Sequence, residues 1–335
     1  MVSESLVHAC AGGAGGLVAM TATYPLMAIS TRAAVDRSRK PGESLVQAVR
    51  TVLAEEGLLG LYDGLGSSLL GIGVSNFVYY FFFEAARDFI LTSKRLTRST
   101  TAALGTLTTL ESIVAGLLAG SATAVASNPI WVVNTRQTVR TTRRTSEGAA
   151  APVLRRLSFL ATLRSIVEKD GVRALWKGIG PALVLVTNPV LQYTAFEQLK
   201  TWVLASRAAA RGRAQPLRDW DYFWLGALSK LIATGITYPQ IVIKARQQAI
   251  SNDADRPQRA NVWTAMTDVV HEEGLGGLYR GISSKLLQSI LTAAILFASK
   301  ERIYQMTKTV RRADSHSSWP RRLRVRATAP GGTRV

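Results

Sequence analysis

Cysteine is nearly absent from this chain: Cys10 stands alone among 335 residues. One thiol excludes an intrachain disulfide and gives no sign of an oxidising compartment. Histidine is scarce too. His8, His271 and His316 do not cluster, and no P-loop or HExxH run occurs. Neither a metal site nor a nucleophile–base pair can be assembled, so no enzyme, metal or cofactor is expected. Acids are few: 22 Asp+Glu against 41 Lys+Arg give a formal charge of +19. That imbalance points to nucleic acid, anionic lipid or an anionic solute as partner. The opening stretch "MVSESLVHACAGGAGG" lacks a signal peptide's basic region and an Arg-rich presequence pattern, so no N-terminal import signal is expected. The final "GGTRV" is not a peroxisomal import tripeptide, which a membrane protein would not need.

What the chain does have is an internal repeat. "YPLMAISTR" (24–32), "NPIWVVNTR" (128–136) and "YPQIVIKAR" (238–246) align without gaps. Pro25, Pro129 and Pro239 head them, and Arg32, Arg136 and Arg246 follow seven residues later. A second motif comes after each: "EGLLGLYDG" (56–64), "DGVRALWKG" (170–178) and "EGLGGLYRG" (273–281). Two gapped motifs recurring three times in one order mark a triplicated module, and the period is too long for a short solenoid repeat.

Each module has the same layout. An apolar, helix-compatible stretch leads into the proline (6–24, 112–128, 222–238). A basic segment and a short amphipathic one such as "LVQAVRTVLAEEG" follow, and then a second apolar stretch (65–91, 179–204, 282–304). Each is near the roughly 20 residues that span a bilayer. Their hydropathy is moderate, with polar residues at helical spacing, which suits helices lining a water-filled cavity. The expectation is an all-α membrane protein of six transmembrane helices in three tandem repeats: 1–98, 99–208 and 209–310, with a basic, disordered tail at 311–335. Thirteen and nine residues before each proline stand Gly12/Gly16, Gly116/Gly120 and Gly226/Lys230. Small residues at that spacing let helices approach closely. Lys230 breaks the pattern as the one basic residue deep in an apolar stretch. A lysine that snorkels to the interface is the alternative to a functional cation.

The paired motifs resemble the mitochondrial carrier family, over roughly residues 5–308. The resemblance implies a pseudo-threefold six-helix barrel in which Pro25, Pro129 and Pro239 are gate hinges. It also implies a ring of inter-repeat salt bridges at the prolines, and here the sequence departs. The acidic positions hold Met27, Trp131 and Ile241, and their basic partners are Ser30, Asn134 and Lys244. No ionic ring can form, so packing must hold that gate, with Trp131 as plug. Asp63 also stands where the family's glycine motif has a basic residue. On the opposite face the family's aromatic-acidic-x-x-basic motif is kept in Phe83-Glu84-x-x-Arg87 and Phe196-Glu197-x-x-Lys200. It is degenerate in Lys300-Glu301-x-x-Tyr304. Family pairing would join Arg87 with Glu197 and Lys200 with Glu301, leaving Tyr304 to bond Glu84. The stretches "PIWVVNTR", "SNFVYYFFFE", "NPVLQYTAFE" and "QSILTAAILF" look like the peroxisomal carriers of adenine nucleotides and related cofactors within that family. The organelle comes from this resemblance.

In the family, substrate touches the even helices about thirteen residues before the acidic gate position, which implies Gly71, Val184 and Gln288 here. One turn deeper are Ser75, Asn188 and Thr292, then Tyr79 and Gln192. Gly71 and Val184 suit a purine face. Gln288 and Asn188 offer the donor–acceptor pairs of an adenine edge. Helix–helix hydrogen bonds are the alternative for Asn188 and Ser75, and packing is the alternative for Tyr79 and Tyr193. Phosphates need cations: Lys230 in the cavity, with Arg32, Arg136, Lys244 and Arg246 after the kinks. The three arginines equally suit a brace on helix ends and headgroups. The loop 136–156 is basic but lacks the aromatics of a nucleic-acid platform, so lipid headgroups are its expected partner. The expected function is adenine-nucleotide exchange by one monomeric chain in the peroxisomal membrane. The alternatives are a CoA, NAD or FAD carrier there, a mitochondrial inner-membrane carrier of another anion, or a carrier-shaped receptor that does not transport.

Overall fold

A computed structural model describes residues 4–36, 45–96, 107–139, 157–211, 217–250 and 261–295. Every regular element among them is helical. The expectations for Lys300, Glu301 and Tyr304, for most of the loop 136–156 and for the tail lie outside the described residues.

Three kinds of helix recur in each module. The first is the proline helix: α1 (Glu4–Val35), α4 (Thr109–Thr138) and α8 (Asp219–Ala249). Each is followed by a short amphipathic helix: α2 (Leu45–Gly60), α5 (Phe159–Asp170) and α9 (Val262–Glu273). The second long helix of each module comes next: α3 (Leu65–Leu96), the pair α6 (Ile179–Leu185) and α7 (Asn188–Arg211), and α10 over residues 282–295. Among the described residues three stretches are long and apolar enough to cross a membrane: Glu56–Lys94, Thr109–Thr138 and Val172–Ala209.

The chain stays helical through all three prolines. A proline has no N–H, so the carbonyl four residues earlier loses its helical partner. In α4 that carbonyl belongs to Val125, and Trp176 Nε1 donates to it at 3.1 Å. The second module departs from a continuous helix over 179–204. Its helix breaks at Val186 and Thr187, because Pro189 cannot donate back to Leu185 and sits where a first helical turn tolerates it. Thr187 Oγ1 turns to the Val184 carbonyl at 2.7 Å.

The amphipathic helices form three small cores by the same register. Ile29, Val52 and Leu61 pack together in the first module; Val133, Ile166 and Leu175 in the second; Ile243, Val269 and Leu278 in the third. Each set takes the residue four after the proline, the residue four before the motif acid, and the residue before the motif aromatic. A helix turn is 3.6 residues, so these spacings put one side chain from each element on a facing surface.

Both motif glycines explain themselves. Gly57 breaks the first short helix at φ 70°, and Gly171 and Gly274 cap the other two at 80° and 72°. Gly64, Gly178 and Gly281 open the next helix at 87°, 76° and 79°. An L side chain is strained there. At the second set there is no room either. A Cβ on Gly64 would stand 2.8 Å from Thr138 Oγ1, on Gly178 3.0 Å from Gln248 Cγ, and on Gly281 2.8 Å from the Ser30 carbonyl.

The contacts divide the chain into two units, Tyr24–Ile290 and a smaller one joining Met1–Thr23 with Leu291–Val335. In the smaller unit Thr23 and Thr292 share a hydrogen bond of 2.8 Å. All further contacts described below lie within Tyr24–Ile290.

Candidate functional site

The three arginines after the prolines build one motif three times. Arg32 bonds both oxygens of Glu56, at 2.7 and 2.9 Å, and its Nε donates to the Thr138 carbonyl of the second module at 2.8 Å. Arg136 pairs with Asp170 and donates through Nε to the Gln248 carbonyl of the third, at 3.3 Å. Arg246 grips Glu273, at 2.6 and 2.9 Å, and donates to the Ala34 carbonyl of the first, at 2.8 Å. The ring therefore closes, first to second to third to first. A guanidinium suits this because its planar fork leaves a donor free after a bidentate carboxylate contact. The brace reading of these arginines is the one the geometry realises, and their acids come from the glycine motif.

A second ring runs the other way. Ser30 Oγ donates to the Gly281 carbonyl at 3.1 Å, and Asn134 Nδ2 donates to the Gly64 carbonyl at 2.8 Å and meets Ser68 Oγ at 2.7 Å. Lys244 takes the equivalent place beside Gly178, its Cγ 3.5 Å from where a Cβ would stand. Uncharged side chains thus bond the backbone of the neighbouring module where an ionic ring was ruled out by sequence. The residue before each proline adds a bond inside its own module. Tyr24 donates to Asp63 O, Asn128 to Leu175 O and Lys177 O, and Tyr238 to Arg280 O.

Trp131 lies across to α3. Its Nε1 donates to Ser75 Oγ at 3.2 Å, and its Cε2 and Cζ2 would each be 3.3 Å from a Cβ on Gly71. Two of the expected substrate contacts are therefore covered by the indole. Ile241, its equivalent in the third module, packs with Ala34, Tyr238 and Val242.

The other expected contacts separate. Asn188 donates to Thr237 Oγ1 at 2.6 Å, the helix–helix alternative. Thr292 meets Thr23 in the smaller unit. Gln288 is buried, Val184 is exposed, and Gln192 is half-buried. Tyr79 stacks on Phe83 with ring centroids 5.9 Å apart, which is the packing alternative; its hydroxyl lies 3.5 Å from a Cβ placed on Gly116. Gly120 packs closest of the small residues, where a Cβ would meet Val186 Cγ1 at 2.6 Å, whereas Gly16 and Gly226 have open space.

Sequence reasoning missed one cation. Lys285, four residues after Gly281 in α10, lies within electrostatic reach of both Lys230 and Lys244. Lys230 and Lys244 are 14 residues apart on α8 (244 − 230), close to four whole turns, so they share a face. Among the described residues none of the three ammonium groups has a carboxylate at ion-pair distance. The signal available in sequence was a lysine inside the apolar stretch 282–304.

At the far ends of the helices the motif carboxylates pair within their own helix: Glu84 with Arg87 at 3.1 Å and Glu197 with Lys200 at 3.3 Å. Consecutive long helices are tied there as well. Lys94 meets Glu111 at 2.5 Å and Arg207 grips Asp221 at 2.8 and 2.5 Å. The Arg207 guanidinium, aided by the Arg218 backbone N–H, holds the Asp221 carboxyl down at about 2.

The family model described as "Mitochondrial carrier protein" matches residues 2–94, 105–207 and 215–310. The chain is similar to peroxisomal membrane protein PMP47B of Candida boidinii, at 32% identity over 92% of this chain and 88% of the relative. It is similar to the peroxisomal nicotinamide adenine dinucleotide carrier of Arabidopsis thaliana, at 32% over 92% and 97%. It is also similar to peroxisomal membrane protein PMP34 of Mus musculus, at 31% over 92% and 95%.

Proposed function

Since this chain belongs to the mitochondrial carrier family, a family of transporters and not enzymes, we propose that it exchanges adenine nucleotides (ATP, ADP and AMP) across the peroxisomal membrane by alternating access. The relatives named for the peroxisome support that residence. The observation that carries the substrate reading is the lysine set of the third module. Lys285 lies within electrostatic reach of Lys230 and of Lys244, and none of the three has a carboxylate at ion-pair distance among the described residues. Charges at membrane depth cost several kcal/mol unless solvated or paired. A phosphate supplies the missing negative charge, and each charge-assisted bond is worth about 1.5–3 kcal/mol.

Three cations favour a substrate carrying several negative charges. ATP and CoA have them on terminal phosphates; NAD has two phosphodiester charges. NAD is the second reading, favoured by the relative named for it. FAD resembles NAD in charge. The chain acts as a monomer embedded in lipid, because its three modules already supply all the partners in the arginine ring.

Counter-substrate uptake tests the reading. Purified protein in liposomes loaded with ATP should take up labelled ATP, ADP or AMP, and uptake should vanish when the liposomes are empty. Uptake of NAD or CoA alone would replace the substrate, and uptake of no adenine cofactor would defeat the proposal.

A further inference from the structure

The second long helix is not built alike in the three modules. Helix α3 runs unbroken from Leu65 to Leu96, and α10 is continuous over residues 282–295. In the second module this helix is cut into α6 and α7. At the cut the backbone tightens. The Val186 N–H donates to the Leu183 carbonyl at 3.2 Å and the Thr187 N–H to the Val184 carbonyl at 3.1 Å, each three residues back. The Leu191 N–H then opens α7 on the Thr187 carbonyl at 3.0 Å. The Leu185 carbonyl has no N–H four residues on, because Pro189 stands there. Two residues thus join two stiff rods, and residues at element ends are where hinges absorb a change in φ and ψ.

The proline helix of the same module departs in the opposite sense. In α4, Trp176 Nε1 ties up the Val125 carbonyl that Pro129 frees. The equivalent aromatics Tyr62 and Tyr279 stack instead on Tyr24 and Tyr238, with ring centroids 6.2 and 6.1 Å apart. In α8 the carbonyl that Pro239 frees is that of Gly235, and no side chain among the described residues donates to it. The module that locks its proline kink is the module that cuts its second long helix.

The two halves of the cut helix are moored differently. Helix α7 is fastened to α8 along its length. Asn188 Nδ2 donates to Thr237 Oγ1 at 2.6 Å, Phe196 stacks on Tyr222 with centroids 6.5 Å apart, and Arg207 grips Asp221 at 2.8 and 2.5 Å. Helix α6 reads Ile-Gly-Pro-Ala-Leu-Val-Leu. It has no polar side chain, so apolar packing alone holds its side chains to their neighbours. At the cut, Val186 Cγ1 lies 2.6 Å from where a Cβ on Gly120 of α4 would stand. The joint fits there only because residue 120 carries no side chain.

We propose that α6 swings about Val186 and Thr187 when the proline-side gate opens, while α7 stays fastened to α8 and α4 keeps its kink. This rests on the alternating-access reading above and goes beyond it. In the first module α3 moves as one rod; in the second only the short arm moves. Swinging α6 breaks no side-chain hydrogen bond or ion pair of its own. Carrying α7 along would break the Asn188 bond and the bidentate Arg207 pair, and an unmade bond to a buried group is costly.

The test reads distances along the two helices. Cys10→Ser removes the native thiol, and spin labels are placed on exposed side chains: Leu183→Cys with Trp202→Cys across the cut, and Leu70→Cys with Phe89→Cys along α3. Each labelled protein is reconstituted and checked for uptake, and its label distance is read by pulsed EPR with and without the adenine cofactor it takes up. The pair across the cut should gain a second distance when cofactor is present, and the α3 pair should keep one. Pro189→Ala returns an N–H to the Leu185 carbonyl. It should remove the second distance and slow exchange severalfold, in protein no less thermally stable than the parent. A single, unchanged distance across the cut in vesicles that exchange overturns the hinge and leaves the function intact, and so does undiminished exchange by folded Pro189→Ala. If Pro189→Ala fails to fold, the label pair across the cut decides alone. Vesicles that take up no adenine cofactor overturn the transport reading and the hinge with it.

Discussion

The second and third modules answer the same two positions with opposite chemistry. After Pro129 come Trp131 and Asn134, whose polar atoms find partners: Ser75, Gly64 O and Ser68. After Pro239 come Ile241, packed among apolar neighbours, and Lys244, a cation facing another cation. The backbone around them is alike, down to the arginine five residues after the tryptophan or isoleucine and its acid partner. The difference is that the polar atoms of one module are met by its own protein, while the lysine of the other is, on the function proposed above, the place for an anion from outside. Symmetry supplies the frame, and its breaking supplies the site.

The sharpest way to break the comparison is to remove what the modules share. Arg246→Gln leaves Glu273, 8% exposed, short of its bidentate partner. Breaking a buried pair costs about 3–5 kcal/mol, so the detergent-solubilised protein should lose most of its thermal stability. Arg32→Gln and Arg136→Gln should behave alike. If one of the three is tolerated, the ring is not closed.

The lysines come next in size. Lys230→Gln should lower nucleotide exchange roughly ten- to a hundredfold, the worth of one charge-assisted contact. Lys230→Arg should rescue it in part, because a planar fork does not reproduce a point charge. Expression should not suffer, since a costly charge has been removed. Near-normal exchange in Lys230→Gln would move the phosphate toward Lys244 and Lys285.

Smaller still is the effect at Trp131. Trp131→Ala removes one neutral hydrogen bond, worth about 0.5–1.5 kcal/mol, together with its packing, so leak should rise relative to exchange. Dye-free efflux of preloaded ATP without external substrate measures it, and an unchanged leak would mean that the second module closes without its indole. Ser30→Ala is the mildest change, a single bond to Gly281 O, and should raise leak by less than Trp131→Ala.

Much of this was readable in the sequence, for physical reasons. Spacing conveys periodicity, so the proline-bearing helices, the arginines and both glycines of the motif announced themselves. The absence of an ionic ring followed from Met27, Trp131 and Ile241. The arginine ring itself did not show, because its cross-module acceptors are the carbonyls of Ala34, Thr138 and Gln248, and a backbone carbonyl leaves no trace in residue identity. The helix break before Asn188 hid in an apolar run whose Pro189 was read as part of a span. Lys285 was overlooked because it stands near a helix start, where a lysine usually reaches water. In the sequence Asn188 suits either a substrate edge or a helix–helix bond, and Thr237, far away in sequence, chooses the second.

The most direct test of the central claim, that the third module holds the substrate's phosphates, is ATP exchange by Lys230→Gln/Lys285→Gln in liposomes, measured beside the parent protein at equal insertion. The double substitution should all but abolish ATP uptake while the protein remains folded and its leak is unchanged. Uptake of ATP at the parental rate would contradict it.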